Sequence, residues 1–224
     1  YKKKIFLARL SKEKKVNELV NTLTNQNIAF SSVDKNDLDR IAKGEVHQGV
    51  ISEVILPPLL NEESLFKSIS DNSLKPLILV LDSIQDPRNL GACLRSANAA
   101  GVNYVIINKD GSAPINAVVH KTSAGAINSL KIFHVTNLSR TIKEMQKRGI
   151  WVIGLDGNSK STIYDIDLTD ATAVVMGSEG KGIRQLIKKT CDQIVTIPMS
   201  GNIESLNVSV ATGIALFESK RQRE

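Results

Sequence analysis

The 224 residues suffice for one large or two small domains, each able to bury its own core. Only 4% of them are aromatic against 42% hydrophobic in all, so the interior must be built from Ile, Val, Leu and Ala, which favours a layered α/β architecture over a β-sandwich. The net charge of +6 permits a polyanionic partner but also fits plain solubility, and no apolar run approaches the roughly 20 residues that cross a bilayer.

In chain order, residues 1–56 read as a small α/β unit, with strands at 5–8, 29–33 and 50–56 and helices at 14–25 and 37–42. The first helix sets Val16, Leu19, Val20 and Leu23 on one face. Lysines 2, 3, 4, 12, 14 and 15 with Arg9 form a basic edge, either a solvated face or a phosphate contact. No signal peptide is expected at the start of the chain, and Tyr1 in place of Met suggests a trimmed or incompletely observed N-terminus. Between Gly44 and Val50, two glycines bracket His47-Gln48, a pair able to hydrogen-bond a base or a backbone. His47, His120 and His134 stand apart in sequence, so no zinc-type ligand set is expected. Pro57-Pro58 and the polar stretch 61–75 read as a linker with some helix, placing the boundary near residue 75.

From residue 76 strands and helices alternate as a parallel sheet requires. Strands are predicted at 77–81, 104–107, 130–135, 151–155, 173–176 and 193–197, and helices at 89–100, 115–124, 138–148, 182–191 and 205–220. Cys93 and Cys191 fall in helices without C-x-x-C spacing, as expected of reduced, packed thiols in a cytosolic protein.

Three turns follow strands, where open α/β sheets hold ligands. In the first, Asp86-Pro87 favours a turn and Asn89 can cap a helix beginning at Leu90. Arg95 lies about 9 Å further along that helix, on the face of Arg88 and Gly91. The second, Met176 to Arg184, has the G-x-x-x-x-G spacing of a phosphate loop, but Ile183-Arg184 stands where Lys-Ser/Thr would be needed. Glu179 is then either a site group or a favourable anion at a helix start. In the third, Pro198 stops a strand, Ser200-Gly201-Asn202 turn the chain, and a helix from Ser205 carries apolar positions 206, 210, 214 and 217. Its other face, Ser205, Ser209 and Thr212 beside Asn207, is small and polar, suited to close packing or to chemistry.

Asn89 to Ala97, Val175 to Gly182, and Ile197 to Met199 with Ser205 to Ala211 resemble, in order, the three motifs of the SpoU (TrmH-like) RNA ribose 2′-O-methyltransferases, over residues 76–224. The loop 44–50 and the closing Phe217-Glu218 with Arg221-Gln222-Arg223 are most similar to the branch acting on a guanosine of bacterial 23S ribosomal RNA. The resemblance implies a mostly parallel α/β catalytic domain at 76–224 with a C-terminal trefoil knot of SPOUT type. An RNA-binding domain of ribosomal-protein-like fold would precede it at 1–56, with 57–75 as linker. S-adenosyl-L-methionine would lie in the knot, held by backbone near Gly177, Ile197, Met199 and Leu206. The family assigns the proton-accepting role to the arginine matching Arg95; a guanidinium stays protonated up to a pKa above about 12, so positioning the nucleotide and stabilising charge is the alternative. Asn89, Glu179, Ser205 and Asn207 would orient the reactants. The family further implies a cytoplasmic homodimer whose site draws on both chains, with no metal and no membrane. The chain begins late relative to that branch, so cofactor binding is expected to be more complete than RNA binding. Transfer RNA or another ribosomal site remains as an alternative substrate, and a non-catalytic RNA-binding member as an alternative function. On this reading the turns after residues 82, 176 and 197 meet in one pocket.

Overall fold

The structure is a computed structural model and describes residues 4–9, 14–55, 58–71, 75–203 and 205–224. Lys2, Lys3 and Lys12 of the expected basic edge, Leu56 and Pro57, part of the expected linker at 72–74, and Glu204 lie outside the described residues. The chain forms two compact units divided between Pro57 and Pro58.

In the first unit β1 (Lys4–Ala8) pairs in parallel with β2 (Ser31–Val33) and antiparallel with β3 (Val50–Glu53). The helices α1 (Lys14–Asn25) and α2 (Lys35–Ala42) bury Val16, Leu23 and Leu38 with Leu7 of β1. β2 begins two residues later than predicted and β3 stops at Glu53. The His47 ring is consumed by its own loop. Its Nδ1 accepts from the Gly49 N–H at 3.0 Å, which leaves Nε2–H to donate to Asp39 Oδ1 at 2.9 Å. The ring therefore offers no unused edge to a base, and of the two uses expected from the sequence it takes the one toward backbone.

The second unit is a six-stranded sheet in the order β6-β5-β4-β8-β7-β9, every pairing parallel. Its strands are β4 (Leu77–Asp82), β5 (Tyr104–Asn108), β6 (Lys131–Val135), β7 (Trp151–Leu155), β8 (Thr172–Gly177) and β9 (Gln193–Val195). Side chains of β4 alternate between two cores, as the strand's period of two demands. Leu77, Leu79 and Leu81 face a core shared with α4 (Pro87–Ala99), α5 (Ala117–Thr122) and α8 (Val208–Arg223). Ile78 and Val80 face one shared with α3 (Glu62–Ser70), α6 (Leu138–Gln146) and α7 (Gln185–Thr190). Burial on both faces explains the unbroken apolar runs of these strands.

Most of the stretch read as a linker belongs to this sheet. Leu60 N–H donates to Ile132 O, His134 N–H donates back to Leu60 O, and Leu65 of α3 is fully buried. The unit boundary therefore falls at 57/58 rather than near 75, because a few apolar positions inside a polar stretch suffice to dock it. The helix after β4 starts at Pro87, capped by the Asp86 carboxylate on Arg88 N–H at 2.8 Å, so Asn89 is not its cap but lies in its first turn. Helix α7 is six residues long and begins only at Gln185, since the glycines before it fold into a loop.

Helix α8 begins at Val208, with Ser205 outside it. Its predicted apolar stripe faces outward in part: Val210 is 50% and Phe217 48% exposed. The small polar side goes inward. Thr212 and Ser219 are buried and donate to main-chain oxygens one turn back, at 2.7 and 2.9 Å, which removes the cost of burying a hydroxyl. Small side chains bring α8 close to α4, with Thr212 Oγ1 3.4 Å from Cys93 Sγ.

Candidate active site

Helix α4, following β4, packs on one face of the sheet, and α7, following the adjacent β8, packs on the other. Where successive helices part to opposite faces, a crevice opens at the carboxyl ends of the strands. A pocket of about 820 Å³ lies there, within the roughly 300–1,000 Å³ usual for small-molecule sites. Its walls are Leu155 to Asn158 after β7, Met176 to Gly182 after β8, Thr196, Ile197 and Met199 after β9, and Ser205 to Val208 with Ala211 leading into α8.

The wall after β8 is shaped by glycine. A Cβ on Gly177 would lie 2.0 Å from the Gly182 carbonyl carbon, because the chain doubles back onto it. The loop is closed by Ser178 N–H to Gly182 O at 3.2 Å and Gly182 N–H to Ser178 O at 2.8 Å. Gly180 and Gly182 have φ of +76° and +64°, the left-handed region that glycine enters without strain. The lining at Met199, Ser205 and Leu206 is different in kind. No hydrogen bond among the described residues uses their main-chain groups, so they are available to solvent or to a ligand.

A chain of amides crosses the lip of the pocket. Ser209 N–H caps onto Asn207 Oδ1 at 2.9 Å, Asn207 Nδ2 donates to Asn89 Oδ1 at 3.1 Å, and Asn89 Nδ2 donates to Glu179. The order fixes both amide orientations, since a carboxylate only accepts. Thus Asn89, Glu179 and Asn207, distant in sequence, are brought together, while Gly177, Ile197, Met199, Ser205 and Leu206 line the same pocket. Arg95 is exposed on α4, six residues beyond Asn89, and makes no hydrogen bond or ion pair among the described residues. Of the three turns expected to meet, those after 176 and 197 line the pocket directly and the one after 82 reaches it through Asn89.

Sequence reasoning missed the loop Leu155 to Asn158. Its signal was present, because Asp156-Gly157-Asn158 after a strand is turn chemistry of the kind sought elsewhere. Asp156 is paired with Lys188 at 3.0 Å. Burial pushes its carboxyl up, but the Asn158 N–H and Lys188 outweigh that and hold it below its ordinary value.

Residues 76–217 match the SpoU rRNA Methylase family, and residues 2–58 match the family described as RNA 2′-O ribose methyltransferase substrate binding. The chain is 46% identical to the 23S rRNA (guanosine-2′-O-)-methyltransferase RlmB of Haemophilus ducreyi, over 98% of this chain and 89% of that protein. The RlmB of Escherichia coli K12 is 42% identical, over 98% and 90%. Among solved structures, the A. aeolicus TrmH/SpoU tRNA modifying enzyme superposes with a TM-score of 0.62 at 31% identity, covering 72% of this chain and 84% of that one. The SpoU methyltransferase AviRb from Streptomyces viridochromogenes, in complex with AdoMet, shares the fold with a TM-score of 0.76 at 23% identity, over 98% and 82%.

Proposed function

The chain belongs to the SpoU rRNA Methylase family, and from that premise we propose that it transfers a methyl group from S-adenosyl-L-methionine to the ribose 2′-hydroxyl of a guanosine in 23S ribosomal RNA. The observation that carries the site assignment is the Glu179–Asn89–Asn207 chain set on the lip of a pocket walled by Gly177, Ile197 and Leu206.

The pocket fits this cofactor. Leu155, Met176, Ile197, Leu206, Val208 and Ala211 offer apolar surface for an adenosine, the main-chain groups of Met199, Ser205 and Leu206 offer donors and acceptors, and Glu179 supplies negative charge toward a cation. Bound there, the cofactor supplies an electrophilic methyl on a positively charged sulfur. The protein's task is then to align the hydroxyl oxygen and remove its proton as the bond forms. Asn89, clamped from both sides, holds Glu179 and Asn207 in fixed positions. Ser205 offers a hydroxyl on the opposing wall. Arg95, unpaired and exposed, positions the nucleotide and stabilises charge, in keeping with a guanidinium's high pKa.

In this reading residues 1–56 bind RNA, consistent with the match over residues 2–58, and the catalytic unit begins at Pro58. A knotted C-terminus is supported by two sets of hydrogen bonds to one connection. Thr196 bonds Ser161 and Ile163 of the β7–β8 connection, and Gln222 and Arg223 of α8 bond Ile166 and Leu168 of the same connection. A homodimer would cover Val210 and Phe217 of α8. No helix among the described residues is long and apolar enough to cross a membrane, and a ribosomal RNA substrate puts the work in the cytoplasm. No cluster of His, Cys, Asp or Glu suited to a metal occurs among the described residues.

The test is to incubate the protein with methyl-labelled cofactor and either unmodified 23S RNA or tRNA, then digest to nucleosides. Label on the ribose of one guanosine of 23S RNA is expected; label on a base, or on tRNA alone, would overturn the assignment.

A further inference from the structure

The carboxylate of Asp82 ends β4 and is 0% exposed, and it does not line the pocket. Both its oxygens serve one residue. Arg184 N–H donates to Oδ2 at 2.9 Å and Arg184 Nε donates to Oδ1 at 2.7 Å, and among the described residues only the neighbouring Ser83 hydroxyl is added, at 3.2 Å. A buried charge is tolerated only when its partner is held in good geometry, so the position of Arg184 is dictated by β4.

Arg184 is also the exit of the glycine loop. The loop enters at Gly177, which pairs in register with Asp82 across β8 and β4. It returns onto itself through Ser178 and Gly182, and leaves through Ile183 to Arg184. Within it, Glu179, Gly180 and Lys181 have one hydrogen bond among the described residues, from Asn89 to Glu179. Asn89 is itself seven residues beyond Asp82 on the same strand-to-helix connection. Both ends of the Asn89–Glu179 bond are therefore referenced to one buried carboxylate, Glu179 through Arg184 and Asn89 through the chain.

We propose that Asp82 and Arg184 form a positioning pair that sets where Glu179 stands relative to Asn89, and so governs the rate of methyl transfer without touching either reactant. This rests on the function proposed above. The pair acts through geometry alone. Without the Nε bond the loop exit keeps its single main-chain tie, and Glu179 can drift from Asn89 by a fraction of its own side-chain length.

The test is single-turnover methyl transfer, well below the melting temperature, for the full chain and its Asp82→Asn, Arg184→Gln and Arg184→Lys variants. Each is repeated in a Glu179→Gln background, with cofactor binding measured in parallel. Asp82→Asn and Arg184→Gln should slow transfer by about 10- to 100-fold, the scale of a sub-ångström to ångström misplacement, with cofactor affinity little changed. Arg184→Lys, which still offers a cation to Asp82, should recover part of the loss. In the Glu179→Gln background the same changes should add almost nothing, since the group they position is gone. A full, multiplicative loss in that background, or normal rates in Arg184→Gln, would overturn the proposal. If Asp82→Asn fails to fold, Arg184→Gln, which keeps the main-chain bond to Asp82, carries the test. The unmodified chain separates the two readings. If it labels tRNA and not 23S RNA, the substrate assignment fails while the variant ratios, measured on tRNA, still decide the pair.

Discussion

At the scale of single residues, the site depends on amides whose two ends are both used. Asn89 accepts from Asn207 and donates to Glu179, so Asn89→Ala should remove the link between two walls of the pocket. Transfer is expected to fall by about 100-fold while circular dichroism stays unchanged, which single-turnover kinetics would read. Arg95→Ala should abolish most transfer yet leave calorimetric binding of the cofactor intact, because Arg95 makes no contact that holds the pocket. The thiols play no part. Burial pushes Cys93 up to about 11 and Cys191 up to about 12, so at pH 8 almost no thiolate exists, and mass spectrometry should find alkylation slow until the protein is unfolded. These residues were visible in sequence as residue types at turns, and it was the resemblance to the SpoU family, not periodicity or turn chemistry, that implied their convergence. Asn89 read as a helix cap because its neighbour Asp86, which takes that role, is an equally good one.

At the scale of elements, two connections matter more than the regular structure around them. The loop from Gly177 to Gly182 has no room for a side chain at its base. Gly177→Ala should therefore displace the loop and eliminate cofactor binding, detectable by calorimetry, even if the sheet survives. The C-terminal helix is fastened at its far end. Glu218, buried, accepts from Arg221 and from Gln222, and Gln222 in turn accepts from Leu168 N–H and donates to Ile166 O. Arg221 holds the Glu218 carboxyl below its ordinary 4.5 in spite of burial. A lowered folded-state pKa gives stability that is complete above the unfolded value and is lost as pH falls through the folded one. Thermal melts of the wild type and Glu218→Gln should thus differ at neutral pH and begin to converge as pH falls below the ordinary carboxyl value of 4.5. Helix α8 also shows why periodicity misassigned a face. Apolar residues at 206, 210, 214 and 217 fit a helical stripe, but the neighbour is another helix at close approach, where Thr212, Ala215 and Ser219 fit and larger side chains do not.

At the scale of the whole molecule, the chain is two compact units, and the proposed division of labour is testable by separating them. Residues 58–224 alone should bind S-adenosyl-L-methionine as the full chain does while losing most transfer to RNA, and a fragment that methylates RNA at the full rate would refute that division. If α8 carries the proposed homodimer contact, the outward Val210 and Phe217 predict that the full chain sediments as a dimer and that Phe217→Glu shifts it to monomer. Strand order along the chain, the parallel alternation from residue 77, and the three glycine- and asparagine-bearing turns were determined by sequence alone, because strand and helix periods and turn chemistry are local properties. Contacts between pieces far apart in the chain came from the folded packing. Residues 58–71 join the sheet, β7 contributes a pocket wall through Leu155 to Asn158, and Asp82 reaches across 102 residues to Arg184. The reason is physical: sequence separation carries no information about which loops share a sheet edge, and only the packing order of parallel strands puts these turns on the same side of one crevice.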